Sequence, residues 1–352
     1  MLTLSAADAL PRLDEFSSVI DARSESEYAL DRLPGAVNWP TLDDEERRIV
    51  GTEYVQTSPF LARKRGAAMA ARNIARHIER EVIDKPRSWQ PLVYCWRGGT
   101  RSGALAQVLD QIGFRVHRLE GGYQAYRRAV VAALDVLPAQ FRFRVICGPT
   151  GSGKSRLLRV LQARGAQVID LEALANHRGS VLGQVPGSPQ PGQKQFESRI
   201  WDALRRLDPL QPVHVESESK KVGDLRVPAM LIERMRAGAC LPLELELDRR
   251  VSLLLAEYPH FVDDTESFCG RLDALRGTRG HELVNAWQAT ARAGRTAEVV
   301  RELLAQHYDP IYARSQERNF PGISEATRRL TWDGTPASLE AAADAALEPE
   351  SM

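Results

Sequence analysis

The sequence predicts an α/β protein of two parallel-sheet domains in tandem, the second carrying helical additions. Three observations predict it. The chain has 352 residues, against roughly 100–200 for one domain. Short apolar runs alternate with helical periodicity along most of its length, the pattern of parallel strands covered by helices on both faces. Two glycine-rich loops, "YCWRGGTRS" from Tyr94 and "CGPTGSGKS" from Cys147, each leave an apolar run and enter a helical pattern. The domains are accordingly placed at 1–135 and 136–352.

In the first domain, "SSVIDARSESEYALDRLPGAVNWP" reads as strand, loop, short helix, turn and a second approach to the core. "GAAMAARNIARHIERE" sets Met69, Ile74 and Ile78 among basic residues, as an amphipathic helix does. "PLVYC" is a short buried strand. "SGALAQVLDQIGF" aligns Leu105, Val108, Leu109 and Ile112 on one helical face and stops at Gly113. "RVHRLEGGYQAYRRAVVAAL" adds a strand, a Gly-Gly turn and a helix.

In the second domain, "FRFRVIC" is a strand entering a core, and "RLLRVLQARG" a helix through Leu157, Leu158 and Leu161. "PLELELD" and "RRLTWDG" alternate as strands do, while "HELVNAWQATARAGRTAEVVRELLAQHYDPIYARS" reads as helices, an insertion or cap. "TPASLEAAADAALEPESM" is a terminal helix and tail without chemistry.

Composition excludes several classes. Lysine and arginine total 47 against 46 acidic residues, so only local clusters can attract a polyanion. No stretch approaches the ~20 apolar residues of a membrane span, and the N-terminus lacks a basic segment followed by a long apolar run. A cytoplasmic protein is the plain expectation. The four cysteines, Cys95, Cys147, Cys240 and Cys269, are widely spaced, which suggests neither a zinc cluster nor a disulfide framework.

Cys95 is expected at the carboxyl end of a strand, where open α/β sheets bind ligands. Gly98 and Gly99 let the following loop curl its amides inward. Those amides, a helix N-terminus, Arg97 and Arg101 would together stabilise a thiolate, a persulfide or an anionic substrate. The competing reading is a small buried residue, the common fate of a free cysteine.

The second loop has a fuller signature. Strand, G-x-x-x-x-G-K-S and helix in that order form a phosphate-binding loop over Gly148, Gly151, Ser152, Gly153, Lys154 and Ser155. Its amides would wrap a phosphate, Lys154 would neutralise it, and Ser155 would hold Mg2+ if that ion is used. Cys147, just before the loop, reads as a packing residue. The motif does not say which phosphate is bound. "PVHVESES" lacks the strand-terminal aspartate of a nucleotide hydrolase but offers Glu216 and Glu218. "QVIDLEALANHRGSVLG" adds Asp170, Glu172, His177 and Arg178, as second-site groups or as a solvated face.

The stretches "DARSESEYALDRLPGAVNWP", "YCWRGGTRSGALAQVL" and "LEGGYQAYR" resemble the rhodanese, or sulfurtransferase, domain. That resemblance implies that Cys95 carries sulfur or selenium. The fold class is then a rhodanese-like parallel-sheet domain followed by a P-loop NTPase-like α/β domain. "GTEYVQTSPFLARKRGAAMAARNIARH", "DLEALANHRGSVLG", "QKQFES", "VESESKKVG" and "HYDPIYARS" extend the likeness, and together the chain resembles the bacterial tRNA 2-selenouridine synthase family.

The family implies conversion of wobble 2-thiouridine to 2-selenouridine through an S-geranyl intermediate. Geranyl diphosphate and selenophosphate would be co-substrates, with no tightly bound cofactor, and a selenophosphate synthetase a possible supplier. The phosphate loop would hold the diphosphate and the Cys95 loop the selenium. Candidate tRNA contacts are Arg63, Lys64, Arg65, Arg72 and Arg76 on one helical segment, Lys220 and Lys221, and Trp96 as a stacking platform; each is equally an ordinary surface or packing residue. The rival readings are an ATP-dependent small-molecule kinase or ATPase fused to a sulfurtransferase, and a non-catalytic sensor.

Overall fold

The computed structural model describes residues 1–179, 183 and 187–348. Ser180, Val181 and Leu182 of "DLEALANHRGSVLG" and the last four residues of the C-terminal tail lie outside the described residues. The chain forms two compact units, one of Met1–Asp135 with Pro191–Arg205, the other of Val136–Gln190 with Arg206–Met352.

The first unit is a five-stranded sheet of β1 (Leu2–Leu4), β2 (Ser18–Asp21), β3 (Ala36–Asn38), β4 (Pro91–Tyr94) and β5 (His117–Leu119), ordered β1-β5-β4-β2-β3. Every pairing is parallel. β4 is buried along its whole length, as its unbroken apolar run requires of a central parallel strand. The helix Thr100–Ile112 buries Leu105, Ala106 and Leu109 on the sheet and ends at Gly113 in the left-handed region. Cys95 belongs to this core, with Ile20, Val93 and Leu105 around it.

The helix Gln193–Arg205 packs in this first unit, although the sequence reading runs the second domain unbroken from residue 136. Its Trp201 meets Tyr126 edge-on at 5.6 Å, and its Ser198 donates to Asp31 at 3.1 Å. Its amphipathic pattern marks a buried face but not which core receives it.

The second unit has a parallel sheet of β6 (Phe143–Cys147), β7 (Gln167–Ile169), β8 (Val213–Glu216), β11 (Ala239–Glu244) and β12 (Leu330–Thr331), ordered β12-β11-β6-β8-β7. A small antiparallel pair, β9 (Lys221–Val222) and β10 (Leu225–Arg226), turns at Gly223. The C-terminal helix Pro336–Leu347 and the helix Lys154–Ala163 share one apolar core. Helices between Leu247 and Asn319 form the expected insertion, with a separate core around Phe268, Leu272, Trp287 and Val299. Within it Leu303–Tyr308 is a π-helical turn, a departure that often marks functional positions. Among the described residues no helix is long and apolar enough to cross a membrane.

Candidate functional site

In the first unit, Asp21 ends β2 directly opposite Tyr94, the last residue of β4. Tyr94 donates its hydroxyl to Asp21 at 2.7 Å, and the buried Arg23 guanidinium pairs with the same carboxylate at 2.7 Å. Arg23 also lies 4.1 Å over the Tyr123 ring. Burial works against its charge, but Asp21 holds its pKa above the usual arginine value. This polar knot fixes the point at which the Cys95 loop leaves the sheet.

The loop is fastened to the start of the next helix, Gly122–Leu134. The amides of Tyr123 and Gln124 donate to the carbonyls of Cys95 and Trp96, at 2.8 and 3.1 Å. Such contact requires glycines: a Cβ on Gly98 would stand 2.6 Å from the Leu119 carbonyl oxygen, and one on Gly122 only 2.1 Å from that of Cys95. The Cys95 thiol is buried, and the Ser102 hydroxyl donates to its sulfur at 3.1 Å. A hydroxyl aimed at sulfur favours a negatively charged chalcogen there. Ser102 was not singled out by the sequence, yet it lies in the first turn of the helix that the loop enters.

The two loop arginines fare differently. Arg97 is exposed. Arg101 donates to Glu27 at 2.6 Å, where the sequence assigned it to the thiolate or substrate. Burial opposes ionisation of Glu27, but Arg101 and then Arg47 draw its pKa below the ordinary value. Glu27 also completes the capping box begun by Ser24. Trp96 is half-buried and stacks on Tyr123 at 5.3 Å. Arg63, Lys64, Arg65, Arg72 and Arg76 are all exposed on the helix Pro59–Glu81. Of these, Arg65 pairs with Glu53 at 3.3 Å, and Lys64 lies over the exposed Phe60 ring. Lys220 and Lys221 are exposed too.

In the second unit the loop from Gly148 joins β6, the middle strand, to the helix Lys154–Ala163. Gly151 and Gly153 hold positive φ of 76° and 90°. Lys154 Nζ donates to the Gly148 carbonyl at 2.8 Å and lies 5.2 Å from the centre of the Tyr312 ring. Burial opposes the ammonium charge, while Tyr312, Glu172, Glu218 and Glu216 raise its pKa, so it stays a cation. Ser152 is fully buried, with its hydroxyl lacking a hydrogen-bond partner. Cys147 is buried, donating weakly to the Val145 carbonyl, and Cys240 is the thiol beside it.

Distant residues brace this loop. Arg250, nearly buried, donates to the Thr150 carbonyl at 2.7 and 2.9 Å and to Asp309 at 2.6 and 2.9 Å. Tyr312 accepts the Gly148 amide at 3.0 Å, and its hydroxyl meets that of Ser217 at 2.7 Å. Trp332 donates to the Ser152 carbonyl at 2.8 Å. Motif spacing does not point to these three, because each comes from at least 100 residues beyond the loop residue it holds.

The acidic residues converge beside Lys154. Ser155 donates to Glu172 at 2.8 Å, and the Glu172 amide donates to Glu216 at 2.9 Å. Gly179 lies so close that a Cβ there would be 2.5 Å from Glu172 and 2.8 Å from Glu218. Asp170 caps a short helix by accepting the Ala173 amide at 2.8 Å. His177 is buried, and burial lowers its pKa. Arg178 lies 4.5 Å over the Tyr258 ring and donates to the Glu257 carbonyl. Asp170, Glu172, His177 and Arg178 line one cleft of about 1200 Å³ together with Lys154, Ser155 and Glu218. Ser155 and Glu172 are adjacent hard oxygen donors of the kind Mg2+ takes. Among the described residues, no group of three or more His, Cys, Asp or Glu is arranged to hold a metal ion.

Burial and then Glu172 push the Glu218 carboxyl up to about 8, against the pull of Lys154. The folded chain therefore binds more protons than the unfolded chain between the ordinary glutamate value and about pH 8. The stability from this group is present in full below that window, is lost as pH rises through it, and levels off above. Thermal midpoints are expected to fall between pH 5 and pH 8.5, and Glu218→Gln to reduce the slope. An unchanged slope in the variant would show that this carboxyl is not the protonated one.

A cysteine cradled after the middle strand of one parallel sheet, and a lysine-bearing glycine loop after the middle strand of another, define a rhodanese-type unit fused to a phosphate-loop unit. Residues 5–129 match the rhodanese-like domain, and residues 141–282 match the tRNA 2-selenouridine synthase AAA domain. The tRNA 2-selenouridine synthase of Sulfurovum sp. (strain NBC37-1) is 30% identical, over 95% of this chain and 98% of its own length. That of Hydrogenovibrio crunogenus is 32% identical over 86% and 92%. The chain belongs to the tRNA 2-selenouridine synthase family. It is also similar to the solved N-terminal domain of a putative ATP/GTP binding protein from Clostridium difficile 630, at 31% identity over 36% of this chain and 98% of that one, with a TM-score of 0.32.

Proposed function

We propose that this chain converts 2-thiouridine in tRNA to 2-selenouridine in two steps, alkylating the sulfur with geranyl diphosphate and then replacing it with selenium from selenophosphate. What carries the reading is the presence of both parts in one chain of this family, a hydroxyl-supported cysteine and a lysine-bearing phosphate loop. In the first step the thiouridine sulfur attacks C1 of the geranyl group, the S–C1 bond forms, the C1–O bond breaks with its electron pair leaving on diphosphate, and the N3 proton passes to solvent. Lys154 and the loop amides stabilise the charge that gathers on the departing oxygens. A C=S carbon exchanges poorly; an alkylated sulfur leaves readily as a thiol. In the second step the selenium of protonated selenophosphate attacks C2, the C2–Se bond forms, the C2–S bond breaks and geranyl thiol departs with the donor's proton; water then cleaves the Se–P bond, releasing phosphate and leaving C=Se with a proton on N3.

Mg2+, when bound, would be held by Ser155 and the diphosphate oxygens and would supply further charge neutralisation. Cys95 and Ser102 hold the selenium donor or a selenium-loaded cysteine, and the exposed Arg97 is placed in sequence to attract an anion. The exposed basic helix Pro59–Glu81 supplies phosphate contacts for tRNA. A selenophosphate synthetase is the natural source of the donor.

The test is nucleoside mass spectrometry. Purified protein with 2-thiouridine tRNA and geranyl diphosphate is expected to yield an S-geranyl nucleoside, and added selenophosphate to yield 2-selenouridine. ATP turnover with neither product would overturn the reading in favour of a kinase or ATPase.

A further inference from the structure

The wide cleft at the phosphate loop continues into a second, smaller space of about 60 Å³. Thr150, Leu254, Tyr258 and Tyr308 line both, so the two are continuous. Beyond that rim the small space is walled chiefly by Leu255, Phe261, Phe268, Val300, Leu303 and Leu304, all from the helical insertion. Phe261 and Phe268 stand against each other at 5.3 Å. Among the described residues no carboxylate, guanidinium, amide or imidazole side chain lines it, and its polar groups are the hydroxyls of Thr150, Thr296, Tyr258 and Tyr308.

The apolar wall reaches the phosphate loop itself. Leu254 lies where a Cβ on Gly151 would meet it at 3.0 Å. Four residues earlier on the same helix, Arg250 grips the Thr150 carbonyl and fixes the helix against the loop. The helix Leu247–Glu257 thus joins the two, holding the phosphate loop through Arg250 and contributing Leu255 to the hydrocarbon pocket. A ligand filling both has a phosphate head and an unbranched or isoprenoid tail, and the apolar walls favour each carbon of that tail that leaves water.

We infer that the pocket bounded by Leu255, Phe261, Phe268, Val300, Leu303 and Leu304 receives the terminal methyl groups of the prenyl tail of an allylic diphosphate whose head lies on the Gly148–Ser155 loop. This rests on the reading of that loop as a diphosphate site. The space is well below the ~150 Å³ of a cavity that takes benzene. It therefore holds only the end of a ten-carbon chain, while the first isoprene unit lies at the rim beside Leu254 and Tyr258.

Calorimetric titration of the full chain, with Mg2+ present, would compare inorganic diphosphate, dimethylallyl diphosphate and geranyl diphosphate. Geranyl diphosphate is expected to bind about tenfold or more tighter than the dimethylallyl compound, since its extra carbons leave water. Val300→Phe, at a partly exposed position, and Leu304→Phe are each expected to cut that advantage to about threefold or less. Inorganic diphosphate, which has no tail, should bind these variants and the parent alike, with circular dichroism confirming that they fold. Equal affinity for the two prenyl compounds, or an advantage that survives both substitutions, would overturn the pocket and leave the diphosphate loop standing. Failure of all three compounds to bind would overturn both. Tail-dependent binding without any alkylated tRNA would keep the pocket and sink the proposed reaction.

Discussion

Lys154→Ala is expected to slow alkylation of 2-thiouridine tRNA by about 100-fold or more, while leaving intact the selenation of tRNA that is already S-geranylated. Lys154 is the half-buried cation at the phosphate loop, with Glu172, Glu216 and Glu218 helping to hold its proton. Removing a preorganised charge from a departing oxyanion costs on the order of 3 kcal/mol in the transition state. The loss of positive charge also leaves that carboxylate group without its partner, so circular dichroism and thermal midpoint belong beside the rate. Cys95→Ser is expected to give the opposite pattern, with alkylation retained and selenation lost. Its replacement hydroxyl can still accept from Ser102 but is a poor chalcogen carrier. If each variant lost both steps equally while folded, the two loops would not divide the chemistry as proposed.

The second large effect is expected from a single methyl group. Gly122→Ala places a Cβ 2.1 Å from the Cys95 carbonyl oxygen and 2.5 Å from the Gly98 amide nitrogen, with a backbone φ of 54° that alanine resists. All the nearest atoms belong to backbone, so no side chain can swing aside. The loop must move or the helix Gly122–Leu134 must start later. Either outcome breaks the Tyr123 amide bond to Cys95, and together the strain and the lost contact cost roughly 3 kcal/mol. Selenation should fall by at least as much as stability does, while binding of geranyl diphosphate stays unchanged. Normal selenation by Gly122→Ala would mean that the loop's attachment to that helix is dispensable.

Both loops were legible in the sequence because each is local: strand, glycines, reactive side chain and helix follow one another within about a dozen residues. The alternation of runs likewise gave the two parallel sheets and the helical insertion. What braces the loops was not legible. Arg250 reaches Thr150 across 100 positions, and Tyr312 reaches Gly148 across 164. An arginine on an amphipathic helix and a tyrosine in a polar one carry no mark of such partners. Arg101 shows the complementary difficulty. Its place beside Cys95 pointed to anion binding, but Glu27, anchored by its own capping box, lies 74 positions away and takes up the guanidinium. Trp96 suits both a platform for bases and a packing role by its sequence position; the structure stacks it on Tyr123. Motif position shows where a side chain starts, and tertiary neighbours decide what it meets.

The place of the helix Gln193–Arg205 bears on how the protein is made. Leu134 and Asp135 close the N-terminal run of the first unit, yet Trp201 and Ser198 complete its contacts to Tyr126 and Asp31. A ribosome adding ~5–20 residues per second needs roughly 4 to 14 s more to reach Arg205. Through that interval the nascent first unit carries an uncovered apolar face, and two of the second sheet's five strands are synthesised before it closes. Translation stalled between these points would leave a chain prone to association.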